Sequence, residues 1–250
     1  MNIKLDKSWD KPDIQLVLLK DAIALCISIL ESASGYRFNQ TLLVTKEYTD
    51  QSPRINYERG PNGEYHIFIY CDDSQLGRCC YQVAHELCHI LCNYSPKFHL
   101  FKWFEETLCE VASLYCLTKM RNLWFVQQRD PIIKRYAVQY TWYLEETTSH
   151  ICRFIPSEFS LAEWVDHNIA KLSSNPKIRQ LNGSIADQIL PFVIQKHDIF
   201  SAARYLNTWD GYPVKDLHSY FNIWNRTVIS NKQKSAVAKL AKLFDIDVSL

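Results

Sequence analysis

Apolar residues recur at helical spacing along most of this chain and alternate with polar ones only in its first third. Over residues 13–34, Leu, Ile and Ala line one stripe while Lys20 and Asp21 break the apolar run, which predicts an amphipathic helix ended by Gly35. Three short runs follow, at 41–46, 54–58 and 64–71, with the Val, Ile, Tyr and Thr content of strands. Gly60-Pro61-Asn62-Gly63 is expected to join the last two as a hairpin. Residues 74–94 then read as helix: Val83, Leu87, Ile90 and Leu91 share a face, Asp72, Asp73 and Ser74 offer capping oxygens, and Tyr94-Ser95-Pro96 forms the stop. Beyond Pro96 only helices are predicted, at 101–120, 131–150, 159–173, 184–196, 198–208, 215–228 and 232–244. Pro131, Pro156, Pro176, Pro191 and Pro213 mark their boundaries or kinks.

This order predicts an α+β fold. A small mixed sheet with one long helix occupies a lobe over residues 1–95, and an all-helical lobe occupies 96–250, the two forming one compact domain. At 250 residues and 47% hydrophobic the chain is long enough to bury a full core. It contains no internal repeat and no low-complexity stretch.

Helix 74–94 carries the chemistry, in His85-Glu86-Leu87-Cys88-His89. Histidines four apart on a helix share a face and can grip one metal ion. A glutamate between them is placed to take a proton from water that the metal activates. A hydrolytic zinc site also needs a third protein ligand and an open position. The next helix supplies carboxylates. Phe104, Leu108, Val111 and Leu114 form its apolar stripe, and Glu106 and Glu110, four apart, share another face. One carboxylate could bind the metal while the other accepts the free ring N–H of a ligating histidine.

These two motifs, in this order, resemble the gluzincins, the zinc metallopeptidases that include thermolysin and the membrane-alanyl aminopeptidases. The resemblance covers about residues 64 to 120 and includes Trp103, Glu106 and Glu110 in the aminopeptidase W-x-x-E spacing. It implies a zincin-like fold with His85, His89 and Glu106 as zinc ligands. It also implies Glu86 as general base and Glu110 as support for a ligating histidine. Sixteen residues separate His89 from Glu106, a short connection, so Glu105 or Glu110 could be the ligand instead. The family also uses a Tyr or His from the helical lobe to stabilise the oxyanion. His167 stands at the matching distance, with Tyr140, Tyr143 and His150 as alternatives. The expected activity is hydrolysis of a peptide or protein substrate. No segment resembles the one that captures a free amino terminus in the aminopeptidases. Internal cleavage, or cleavage of one protein partner, is therefore expected, with substrate paired along strand 64–71. The rival reading is a non-catalytic or regulatory protein of zincin fold that acts by binding a partner, its metal holding two helices together or lost.

Charge and cysteine content narrow the setting. Lys and Arg number 28 against 27 Asp and Glu, a net charge of +1 with no basic stripe, which argues against a nucleic-acid partner. No uncharged run approaches the ~20 residues that span a bilayer, and residues 1–7 lack the apolar core of a signal peptide. Nine cysteines without a secretory signal are expected to be reduced thiols of a cytoplasmic protein.

Overall fold

A computed structural model describes residues 1–9, 14–48, 52–72, 74–95, 99–127, 131–149, 153–195, 198–209 and 214–248. It is a mixed α+β protein with a four-stranded sheet. Its described residues fall into two compact units, and neither is a continuous stretch of chain. Residues 1–32, 36–88 and 112–147 make the first, and residues 33–35, 89–111 and 148–250 the second. Four of the boundaries between these units fall inside helices, at 32/33, 88/89, 111/112 and 147/148.

In the first unit the sheet runs β1 (Ile3–Leu5), β2 (Leu42–Lys46), β4 (Tyr65–Ile69) and β3 (Arg54–Ile55) in that spatial order. β1 and β4 flank β2 in parallel, and β3 pairs antiparallel with β4. Strand β4 alternates as the sequence does: Tyr65, Ile67 and Ile69 are buried, and His66 and Phe68 are half-buried. The expected hairpin forms, closed by Gly60 N–H to the Glu64 carbonyl at 3.0 Å and Gly63 N–H to that of Gly60 at 2.8 Å. Gly63 has φ of 80°, which a side chain would resist.

β1 was absent from the sequence reading because three residues carry no period. It is held by distant partners instead: Trp9 Nε1 donates to the Val44 carbonyl at 3.0 Å and Thr45 Oγ1 to Asp6 at 2.6 Å. β1 makes β2 an inner strand, and β4 is inner as well, between β2 and β3. Substrate pairing along residues 64–71 is thereby corrected, because the Tyr65–Ile69 ladder groups are engaged by β2 and, at Ile67 and Phe68, by β3.

Helix α1 (Ile14–Ser34) buries Leu19, Ala22, Ile23, Cys26 and Leu30 at the expected spacing and ends before Gly35, whose φ is 65°. Helix α2 (Leu76–Leu91) begins without the expected side-chain cap from Asp72 or Ser74. Leu76 N–H instead donates 2.8 Å to Gln139 Oε1, from helix α4 (Pro131–Thr148). Asp73 lies outside the described residues. Gly77 lets α4 approach, since a Cβ there would sit 2.5 Å from the Gln139 carbonyl oxygen. Gly77→Ala is expected to cost about 1–3 kcal/mol as overpacking, read as a lower midpoint in denaturant unfolding. An unchanged midpoint would show that the two helices separate freely.

Cys71 and Cys79 form a disulfide, so the expectation of nine reduced thiols is corrected. Cys26, Cys80, Cys88, Cys92, Cys109 and Cys116 are free and buried, and Cys152 lies outside the described residues. Spacing could not have found the pair, because a hydrophobic strand and an amphipathic helix bring the two sulfurs together only once both have folded. Among the described residues no helix is long and apolar enough to cross a membrane.

The second unit is built on helices α5 (Leu161–Ser174), α6 (Arg179–Gln195), α7 (Asp198–Ala203), α8 (Leu217–Thr227) and α9 (Asn231–Ala241). Capping boxes start three of them, with Ser160/Glu163, Asp216/Ser219 and Ser230/Gln233. Phe104 anchors its core, edge-on to Tyr220, Phe221, Trp224 and Phe244. Phe104 belongs to helix α3 (Lys102–Gln127), which extends seven residues past its expected end at 120.

Candidate metal centre

The HExxH residues lie on α2, where Val83, Leu87, Ile90 and Leu91 are all buried as expected. Glu86 is 2% exposed and His89 is 7% exposed, while His85 is half-buried. The helix stops at Asn93, in the left-handed region with φ of 52°. Tyr94 N–H returns to the His89 carbonyl at 3.0 Å and Asn93 N–H to that of Ile90 at 3.2 Å, the double closure of a helix C-terminus. Asparagine, and not the expected Tyr94-Ser95-Pro96, is thus the stop, and Pro96 lies outside the described residues. The Asn93 side chain donates to the Arg204 carbonyl and, at 3.1 Å, to that of Leu206. Asn207, with φ of 59°, returns the contact by donating to the Cys92 carbonyl at 3.0 Å.

The start of α3 departs from an amphipathic pattern. Residues 101 to 117 are buried all round, the acidic face included: Glu105 is 0%, Glu106 6% and Glu110 3% exposed. Buried carboxylates are costly unless paired. Glu105 pairs with His89 Nδ1 at 2.6 Å, Lys102 Nζ at 2.7 Å and Asn207 Nδ2 at 2.8 Å. Glu106 stands 3.6 Å from the other ring nitrogen, His89 Nε2. Glu110 pairs with Arg153, which also donates to Asp187 at 2.9 and 3.1 Å and to the Gly183 carbonyl at 3.2 Å.

These contacts set the electrostatics. Burial alone would hold the His89 imidazole down, but Glu106 and Glu105 on its two sides hold it well above its ordinary value. Burial opposes ionisation of Glu105, and the His89 and Lys102 contacts outweigh it, leaving the carboxyl below its usual range. Asp187 goes the other way: burial raises it in spite of Arg153.

His85, His89 and Cys109 each offer one ligand atom, and these atoms lie within 4.8 Å of one another. They are a group that could bind a metal ion. Zinc at roughly 2.0–2.3 Å from imidazole nitrogen and thiolate sulfur needs its ligand atoms closer together than that limit. The donor chemistry, two imidazoles and a thiol, suits zinc among the divalent ions. Glu106, the expected third ligand, approaches His89 but is not in this trio. Cys109 was missed by the sequence reading. Its signal was present: it lies three residues after Glu106, on the same helical face.

The remaining expected residues are spread over the fold. His167 is exposed on α5, its ring 5.8 Å from that of Phe159, while Trp164, Val165, Asn168 and Leu172 are that helix's buried residues. Tyr140 is fully buried on α4, and burial together with the Cys80 thiol raises its phenol. Tyr143 packs edge-on against Tyr81 at 5.3 Å. His150 lies outside the described residues. No family model, no curated protein and no solved structure matches this chain.

Proposed function

We propose that this chain is a zinc-dependent hydrolase of peptide bonds, of the gluzincin type suggested by its two motifs. The observation that supports this best is the pairing of His85 and His89 with a donor of α3 inside 4.8 Å, with Glu86 buried beside them on α2. His85 and His89 would hold the ion, and α3 offers Cys109 and Glu106 for the third position. Bound zinc supplies a Lewis acid and lowers the pKa of its water toward ~7. Glu86 accepts a proton from the attacking water and returns it to the departing amine, so one carboxylate acts first as base and then as acid. The substrate is a peptide or protein. With β4 an inner strand, the mode of cleavage rests on the missing amino-terminus-binding segment alone.

The test is metal content. Purified protein should carry about one zinc per chain, and His89→Ala should lose it. Equal and negligible metal in both proteins would end this reading.

One observation favours a second reading. If both Cys109 and Glu106 bind, four protein donors close the tetrahedron, leave no place for water, and make the zinc structural. X-ray absorption at the zinc edge separates the two. The hydrolase is expected to show three protein donors and a light oxygen scatterer. Four protein donors would support the structural role.

A further inference from the structure

The two nitrogens of His89 face different carboxylates. Nδ1 lies 2.6 Å from Glu105 Oε1, and Nε2 lies 3.6 Å from Glu106 Oε2. Glu105 is wholly buried, and its second oxygen accepts from Lys102 Nζ at 2.7 Å and Asn207 Nδ2 at 2.8 Å. Both donors also hold the end of α2 and the loop after it. Lys102 reaches the Ser95 carbonyl at 3.4 Å, and Asn207 the Cys92 carbonyl at 3.0 Å. An ionised carboxylate can only accept hydrogen bonds. The proton in the 2.6 Å contact therefore belongs to Nδ1, and a neutral His89 ring keeps its lone pair on Nε2.

We propose that Glu105 is the positioning residue of the metal centre, fixing His89 in the Nδ1–H form that presents Nε2 to zinc. Lys102 and Asn207 clamp the carboxylate that does so. The motif resemblance gave this role to Glu110, but that carboxylate is committed to Arg153. Glu105 is one residue before the expected ligand, so the outer carboxylate and the inner donor Glu106 come from adjacent positions of one helix. They can serve the two edges of one ring because the helix start is buried on every side. This inference rests on His89 being a metal ligand and does not require hydrolysis.

The measurement is the zinc dissociation constant, by chelator competition, together with the ring ¹⁵N–¹H signals of His89 in the zinc-loaded protein. Glu105→Gln alone strands the Lys102 charge, so the variant is the neutral pair Glu105→Gln/Lys102→Met. It is expected to weaken zinc binding about 10–100-fold. Its Nδ1 proton should lose the downfield shift of a charge-assisted hydrogen bond. Asn207→Gly removes one clamp without straining a left-handed position and should weaken binding by a smaller factor. If the double variant fails to fold, that single variant decides. Glu110→Gln should leave the zinc constant unchanged. Unchanged zinc affinity in the clamp variants, a proton found on Nε2, or a loss in Glu110→Gln equal to that of the double variant would overturn the proposal. A wild-type protein that binds no zinc overturns both this and the hydrolase. Zinc binding that depends on Glu105 in a protein that cuts nothing supports this inference and ends only the hydrolase.

Discussion

Glu86→Gln is expected to retain its zinc and lose turnover by about 10²–10⁴-fold, the range that positioned acid–base groups contribute. At 1.36 kcal/mol per decade this is roughly 3–5 kcal/mol of barrier. Glu86 is 2% exposed and follows His85 directly on α2, so it adjoins the ligands without joining the His85, His89 and Cys109 set. A glutamine of the same shape fills the same space but has no basic oxygen to take the proton. His89→Ala is expected to lose metal and turnover together. The contrast separates base from ligand. Full activity in Glu86→Gln would remove the base. Loss of zinc from that variant would mean that Glu86 itself binds the ion.

Arg153→Met is expected to be the most destabilising single change outside the metal centre. Arg153 and Glu110 are each only 4% exposed at the side chain, and their ion pair is extended by Asp187 and the Gly183 carbonyl. Removing the guanidinium leaves a buried carboxylate without its counter-charge, a loss of about 3–5 kcal/mol. For a chain of this size that lowers Tm by roughly 6–20 °C. Glycine inside α6 has its reason here, since a Cβ on Gly183 would stand 2.7 Å from Arg153 Cζ. Gly183→Ala should therefore destabilise in the same direction although alanine is the better helix former. Adding Glu110→Gln to Arg153→Met should recover much of the loss, because the stranded charge disappears. A Tm unchanged in Arg153→Met, or no recovery in the double variant, would show that Glu110 finds its partner elsewhere.

What could be read in the sequence was what local spacing carries. The helix of His85 and His89 follows from residues four apart on an apolar-backed stripe, and the β3–β4 hairpin from a turn whose Gly63 needs positive φ. The ends of α1 and α2 were within reach for the same reason, although Asn93 ends α2 and not the proline beyond it. Partners far along the chain were hidden. Glu110 sits where a supporting carboxylate was expected, and its charge is met by an arginine 43 residues away. Glu105 reads in the sequence as an alternative ligand, and its place against His89 Nδ1 shows only once Lys102 and Asn207 close around it. Gln139 caps α2 from 63 residues away, and no local pattern marks it. β1 was missed because three residues have no period of their own, and with it went the inner position of β2. The carboxylates of α3 were read as metal-directed from their spacing, but spacing could not show that all three are buried, and burial of charge is rare enough to point to a site.

The most direct test of a zinc-dependent hydrolase is mass spectrometry of a peptide mixture after incubation with the zinc-loaded protein. The mixture should contain both free and acetylated amino termini. New internal termini should appear in both classes of peptide, vanish with chelator, return with added zinc, and stay absent with Glu86→Gln. A protein that holds one zinc on His85 and His89 and leaves every peptide intact would contradict the account and leave the metal a structural role.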